Sequence, residues 1–251
     1  LTGNQTLLLI DGIRLSNATF RYGPNQYFNT LDVFQLERIE VLRGNGSVQY
    51  GSDAMGGAIQ AFSRDAAFSE KADWGGEVLL RGATQGMEKS AHAGLDFSSR
   101  RLALTGGISW RDFGDLVGGD TTGRQSPSGY RELDFDLKGK FALSKNATLT
   151  LAHQNVHQEN VPVFHKVQLE NFAVNEFDPQ QRRLTYARLE QQLRRGVWQS
   201  LSLTASLQQT EEGRRSRKNG STVLRYENDR VHSLGWIAQV NNVFAPWWTA
   251  S

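Results

Sequence analysis

The chain has 251 residues, 38% hydrophobic and 22% charged, with 25 Gly, 5 Pro and no Cys. Lysine and arginine number 28 against 26 acidic residues, so the net charge is only +2 and no basic run marks a nucleic-acid partner. The absence of cysteine excludes a disulfide scaffold, a thiolate metal site and a cysteine nucleophile. The longest aliphatic run, residues 7–10, is too short for a transmembrane helix. A membrane β-barrel stays open, because its strands alternate and are not hydrophobic on average.

In chain order, Leu1 stands where a start Met or signal peptide would be, and the sequence runs almost at once into a buried strand at 7–10 that ends in Asp11-Gly12. Further strands are expected at 38–42 and 58–63, with a helical turn within 34–39. Residues 16–30 between them are rich in Asn, Gly, Tyr and Phe, too polar to bury and too aromatic for a linker. This first region reads as a small α+β unit ending near residue 70. The far end, 243–248, reads as a strand entering a turn, so the sequence is expected to be a fragment cut at both ends.

From Trp74 onward the grammar is that of strands. Residues 101–111 alternate strictly, with Leu102, Leu104, Gly106, Ile108 and Trp110 on one face. Residues 132–143, 197–209 and 232–244 do the same, and weaker candidates lie at 77–84, 91–98, 147–158 and 184–193, about eight strands in all. A β-sandwich also gives one apolar face per strand. Two features favour a barrel: tight turns (98–101, 144–146, 194–196) alternate with long polar loops (113–130, 159–181, 212–229), and aromatics cluster at strand ends. Strands this long throughout would also be unusual in a sandwich.

Three segments then carry a resemblance. Leu9-Ile10-Asp11-Gly12-Ile13-Arg14-Leu15, Leu36-Glu37-Arg38-Ile39-Glu40-Val41-Leu42-Arg43-Gly44 and Ser47-Val48-Gln49-Tyr50-Gly51-Ser52-Asp53-Ala54-Met55-Gly56-Gly57-Ala58-Ile59, in that order, resemble the C-terminal half of the plug domain of TonB-dependent outer-membrane receptors. Asn45, Gln49 and 60–62 depart from the usual pattern but touch no Gly or charged position of the motif. The resemblance implies an antiparallel transmembrane β-barrel of about 22 strands filled by an α+β plug, with residues 1–70 the rear half of the plug and 71–251 the first part of the barrel. It implies a place in the bacterial outer membrane and TonB-dependent import of a large scarce solute, most often a ferric siderophore or other iron chelate. The implied partners are the TonB–ExbB–ExbD complex, an extracellular metal chelate, and outer-membrane lipid and lipopolysaccharide. A haem or cobalamin receptor of the same class, or a passive porin or adhesin barrel, is the alternative. No catalysis, cofactor or metal site is expected.

The motif residues Asp11, Gly12, Gly44, Tyr50, Gly51, Gly56 and Gly57 supply turns and close backbone approach within the plug, although ordinary turn glycines would account for each one singly. Glu37, Arg38, Glu40 and Arg43 are either a solvated strand face or a lock in which plug arginines pair with wall carboxylates; Glu132, Asp134, Asp136 and Glu190 are the inward candidates. Arg21, Tyr22, Asn25, Gln26, Tyr27 and Phe28 would line an apical loop suited to a bulky, planar or anionic chelate, joined by Phe164 and His165 from an outer loop. His157 or His165 could hold haem, but no spacing singles either out.

Overall fold

In the computed structural model, the described residues are 6–15, 26–52, 54–195, 198–245 and 248–250. The first region forms a small mixed sheet of β1 (Thr6–Ile10), β2 (Ile13–Arg14), β3 (Leu36–Arg43) and β4 (Gly57–Ser63), ordered β2-β1-β4-β3. β1 and β4 run parallel, and the other pairs are antiparallel. Asp11 and Gly12 form the two-residue turn between β1 and β2, with φ of 50° and 79°. Positive φ at both positions matches the twist of a tight hairpin, and an Asp-Gly pair tolerates it. Short 3-10 turns at Gln26–Thr30 and Val33–Gln35 precede β3, and α1 (Ser47–Tyr50) lies between β3 and β4. Tyr50 packs with Leu7, Leu9, Ala54 and Ala58 as one apolar cluster of this unit.

The rest of the chain is one antiparallel sheet. Its strands are β5 (Asp73–Ala83), β6 (Glu88–Ser98), β7 (Leu102–Phe113), β10 (Tyr130–Ala142), β11 (Ala147–Glu159), β13 (Phe172–Arg195), β14 (Trp198–Lys218), β15 (Arg225–Ala245) and β16 (Trp248–Ala250). They pair in chain order, with β5 and β16 at the edges. The connections hold a minor hairpin of β8 (Leu116–Val117) and β9 (Arg124–Gln125), then β12 (Val161–Pro162) and α2 (Phe164–Leu169). No described helix is long and apolar enough to cross a membrane, and these strands are the spanning elements.

Two connectors expected as loops are largely strand. β13 begins at Phe172 and β14 runs to Lys218, so most of 172–181 and 212–218 belongs to the ladder. Residues 212–218 are polar on both faces, and the apolar residues of 172–181 (Phe172, Val174 and Phe177) do not alternate, so the pattern that reveals a lipid-facing strand is missing while the backbone pairing continues. At about 3.3 Å per residue the 24 residues of β13 reach about 80 Å, well beyond an apolar band of about 25 Å even with strand tilt. The ladder slips between Phe177 and Gln180, where Pro179 has no amide to donate.

Burial in the large sheet is inverted relative to a water-soluble protein. Leu80, Leu95, Leu234 and Trp236 are 67–80% exposed, while Thr105, Ser109, Arg111, Glu132, Asp134 and Gln158 are at most 4% exposed. An outward apolar face of this extent is stable only against hydrocarbon. The polar face curls around the small sheet, as in a barrel wall with its filling.

Candidate functional site

The small sheet meets the wall through three clusters of charged and polar groups. The first centres on Asp11. Its Oδ1 accepts from the Ser63 amide (2.9 Å), and its Oδ2 accepts from the Ser63 hydroxyl (2.6 Å) and the Tyr186 hydroxyl (3.1 Å). Lys138 Nζ lies 3.5 Å from the same oxygen and donates to the Ser63 carbonyl, while Arg188 donates to the Asp11 carbonyl. The turn thus ties into two wall strands: its carboxylate meets Lys138 of β10 and Tyr186 of β13, and its carbonyl meets Arg188 of β13.

The second cluster centres on Asp32, which caps the Val33–Gln35 turn by accepting from the Phe34 amide (3.0 Å). Its carboxylate also receives Arg111 and the Ser109 hydroxyl from β7. Arg111 continues to Glu132 Oε1 (2.8 Å), stacks over the Phe34 ring at 4.7 Å and stands 3.9 Å from Asp134. Gln158 Nε2 closes the network by donating to Glu132 Oε2 and the Asn29 carbonyl, each at 2.7 Å. Beside it, Arg182 Nε donates to the Thr30 carbonyl (2.9 Å). His92 donates from Nδ1 to Ser109 Oγ (2.7 Å) and faces Gln35 through Nε2. Gly107 makes this approach possible, because a Cβ there would strike Gln35 and His92.

Aspartate, serine and histidine thus adjoin, but in the wrong order for nucleophilic catalysis. Ser109 donates to Asp32 while His92 donates to Ser109, so the imidazole is not positioned to take the hydroxyl proton, and Ser109 is fully buried.

The third cluster lies just after β4. Asp65 pairs with Lys140 and stands 3.8 Å from Lys138, and Arg64 pairs with Glu77 and, at 3.5 Å, Asp96. Among the described residues, Ile10, Ile13, Leu31 and Ala61 pack against Ala152, Leu184 and Tyr186, with Leu15, Phe28 and Leu36 beside them. On the β13–β15 side a polar cavity of about 290 Å³ separates Gly12 and Gln60 from Glu190, Ser202 and Gln239.

The residues singled out from the sequence fall unevenly on this interface. Asp11 and Gly12 are at its centre. Arg38 pairs instead with Glu40 (2.8 Å) and Glu37 (3.4 Å) on its own exposed strand, which hold its guanidinium pKa above the ordinary value. Arg43 lies exposed at the end of β3 and makes no ion pair among the described residues. Of the four wall carboxylates, Glu132 and Asp134 face Arg111, Asp136 is partly buried on the same strand, and Glu190 lines the cavity; none meets Arg38 or Arg43. Gly44, Gly51 and Gly57 have positive φ, and Gly57 passes so close to the Leu42 carbonyl that a Cβ would collide; Gly56 sits in the bend before β4.

Arg21, Tyr22 and Asn25 lie outside the described residues, as do the side chains of Gln26 and Tyr27. Phe28 packs on the Ile10–Leu31 cluster, and Phe164 and His165 open α2, with His165 exposed. His157 bonds Glu159 (3.3 Å), and no described group of His, Asp and Glu could hold a metal. The sequence reading missed Asp32, Arg111, Lys138, Tyr186 and Arg188. The available signal was the wall basic residues on the polar faces of otherwise regular strands, two of them at 138 and 140.

Residues 1–58 match the family model of the TonB-dependent Receptor Plug Domain. The chain is 35% identical over 105 residues to the vitamin B12 transporter BtuB of Vibrio vulnificus, covering 42% of this chain and 15% of that protein. It is 36% identical over 110 residues to the iron-regulated outer membrane virulence protein of Vibrio cholerae, covering 42% and 16%. Among solved structures, the FrpB iron transporter of Neisseria meningitidis superposes with a TM-score of 0.76 at 16% identity, over 97% of this chain and 39% of that one. The ferric enterobactin receptor PfeA (TM-score 0.71, 16% identity, 96% and 39%) and the copper transporter OprC (0.78, 12%, 96% and 36%) share the fold. The chain thus spans about two fifths of the solved receptors, and its matched part about a sixth of the curated relatives. These proteins are transporters and receptors, not enzymes. Residues 1–58 thus match the plug domain of TonB-dependent receptors, and the chain as a whole shares the plug-and-barrel fold of solved outer-membrane receptors.

Proposed function

We propose that this chain belongs to an importer of a large scarce solute, a ferric siderophore or similar iron chelate, energised from the inner membrane by TonB, ExbB and ExbD. In this reading residues 1–70 are the rear half of the plug and 71–251 the first part of the barrel. The observation that carries it is the character of the plug–wall contact. Charged and hydrogen-bonded groups hold the plug at Asp11, Asp32 and Asp65 beside one apolar cluster, and water can take over these polar partners once the plug has shifted from its seat. A plug so held is firm at rest and yields to a pull, whereas a passive pore would not need one. The outer membrane offers no nucleotide, so the work must come from outside it.

Ligand contacts are assigned to the apical segment around Arg21, Tyr22, Asn25, Gln26, Tyr27 and Phe28, with Phe164 and His165 of the outer connection; a cation among aromatic faces suits an anionic, planar chelate. Arg38 and Arg43 are further lock residues toward wall outside the described contacts. The test is uptake of radiolabelled ferric enterobactin and of cyanocobalamin by cells carrying the full-length receptor as their only candidate importer. Uptake of the iron chelate that an uncoupler abolishes is the expected result. Cobalamin uptake alone would reassign the ligand, and uptake that persists in the uncoupled cells would overturn active import.

A further inference from the structure

The outward faces of β10 and β11 differ in character toward the long connections. Leu133 and Phe135 of β10 stand exposed in the apolar belt, yet the residues opposite them on β11 are His157 and Asn155. The polar face continues on β13, where Arg183 donates to Asn155 Oδ1 (3.3 Å) and Gln181 Oε1 (3.1 Å) and makes no ion pair among the described residues. A guanidinium at the edge of hydrocarbon with only neutral partners is costly, and a carboxylate brought against it from outside the chain would relieve it.

The charges around Arg183 alternate in sign from strand to strand. In chain order they are Glu159 on β11, Arg183 on β13, Glu211 on β14 and Arg230 on β15. All four point outward, on the same faces as Leu151, Ala187, Ala205 and Trp236 of those strands. Glu211 and Arg230 are ladder partners, and Arg183 and Glu159 lie one outward position to either side of their row, about 7 Å away along a strand. The order minus, plus, minus, plus becomes its own complement when it is reversed. A two-fold axis along the membrane normal, passing between β13 and β14, performs that reversal: it sets β11 against β15, and β13 against β14, of a second copy. Each carboxylate then has an arginine before it, Glu159 with Arg230 and Glu211 with Arg183, and each pairing occurs twice.

Nearer the tight turns the same strands are shaped for close approach. Ala187 and Ala205 are ladder partners at the centre of the face, within an apolar groove of about 570 Å³. Leu234 and Trp236 rise beside it on β15, both highly exposed, while Gly139 and Leu151 line its far side. The axis sets the bulky flank of one copy toward the small-floored flank of the other. In lipid no hydrophobic force drives two apolar walls together, so association rests on packing and polar pairs, and this face offers both. We propose that the outward face of β11, β13, β14 and β15 is a self-association surface through which two copies of the receptor pair in the membrane. The pairing is separate from solute import and rests only on the barrel's place in the membrane.

Native mass spectrometry of the full-length receptor, extracted from outer membranes in mild detergent, tests it. The folded fraction is first selected by its heat-modifiable migration, so that misfolded variants do not enter the comparison. The wild-type receptor is expected as a dimer, and Arg183→Glu or Glu211→Arg alone should leave about tenfold less of it, since like charges then face each other twice. The two reversed variants, made in the same cells with different tags, should copurify as a mixed dimer, because every facing pair is again of opposite sign. Ala205→Trp, which alters no charge, should also separate the copies by filling the central contact. A wild-type receptor that is monomeric with lipid in the groove, a dimer that survives the single reversals, or reversed variants that fail to pair with each other would each overturn the assignment.

Discussion

Replacing Asp11 by Ala separates a plug seated by polar contacts from one seated by shape alone. The substitution removes the acceptor for the Ser63 amide and hydroxyl and for the Tyr186 hydroxyl, and takes the nearest carboxylate from Lys138. All are buried, with side-chain exposure of only 5% at Asp11 and 8% at Lys138, so water does not readily replace the lost partner. Leaving one member of a buried charged pair alone costs about 3–5 kcal/mol. Lys138 keeps the Ser63 carbonyl at 3.3 Å and Asp65 at 3.8 Å, so the lower end, about 3 kcal/mol, applies. Each 1.4 kcal/mol is about tenfold in an opening equilibrium, so amide exchange in β1 and β4 of the full-length receptor should accelerate by about two orders of magnitude. The β10–β11 ladder in the wall should keep its protection. Tyr186→Phe, which deletes one hydroxyl, should cost about 1 kcal/mol and accelerate exchange roughly fivefold. If Asp11→Ala left exchange in β1 and β4 unchanged, or if wall and plug loosened equally, the polar-seat argument would be refuted.

Asp32 and Arg111 should be strongly coupled, since both are buried and form a direct ion pair, with Ser109 also on Asp32 and Glu132 also on Arg111. A double-mutant cycle with Asp32→Ala and Arg111→Met, read by exchange in the plug, should give a coupling of about 1–3 kcal/mol, and additivity would count against the pairing. Adjacent positions on β10 should respond in opposite ways to charge: Leu137, 47% exposed on the outer face, should cost about 2–4 kcal/mol as Arg in denaturant unfolding from bilayers, whereas Lys138→Arg on the inner face should be mild. In the outer connection, Asp115 accepts from the amides of Ser128 (2.8 Å) and Gly129 (3.2 Å), which hold its carboxyl below the ordinary range. A depressed folded pKa gives a contribution that is complete above the unfolded value of about 4 and is lost as pH falls through the folded one. The Gly129 amide resonance should therefore titrate below pH 4 (on the order of the unfolded Asp value), and Asp115→Asn should abolish that titration.

Much of the architecture is written in the sequence because the membrane imposes it. A strand with hydrocarbon on one face and lumen on the other must alternate, so residues such as Leu102–Trp110 and Leu133–Phe141 declare both the strand and the direction of each side chain. The Asp11-Gly12 turn and the plug motifs were legible for a similar reason, since their local backbone admits few other residues. Beyond the membrane band that constraint ends. The outer parts of β13 and β14 lack the apolar alternation and read as loops, although the ladder runs on through them.

The seat of the plug was decided by tertiary structure alone. Sequence marks Arg38 and Arg43 as charges on a strand and Glu132 and Asp134 as charges on a wall, and opposite signs invite a pairing. The fold instead pairs plug acids Asp11, Asp32 and Asp65 with wall bases Lys138, Arg111 and Lys140, and gives Glu132 to Arg111 within the wall itself. Which charges meet depends on how far the small sheet sits within the curve of the large one and on where Gly107 leaves room for His92 and Gln35. Those are distances between residues separated by tens to hundreds of positions, and no local pattern encodes them. Alternation determined the faces of the wall, because solvent acts on each residue separately; the packed structure determined the partners, because an ion pair needs two residues in one place.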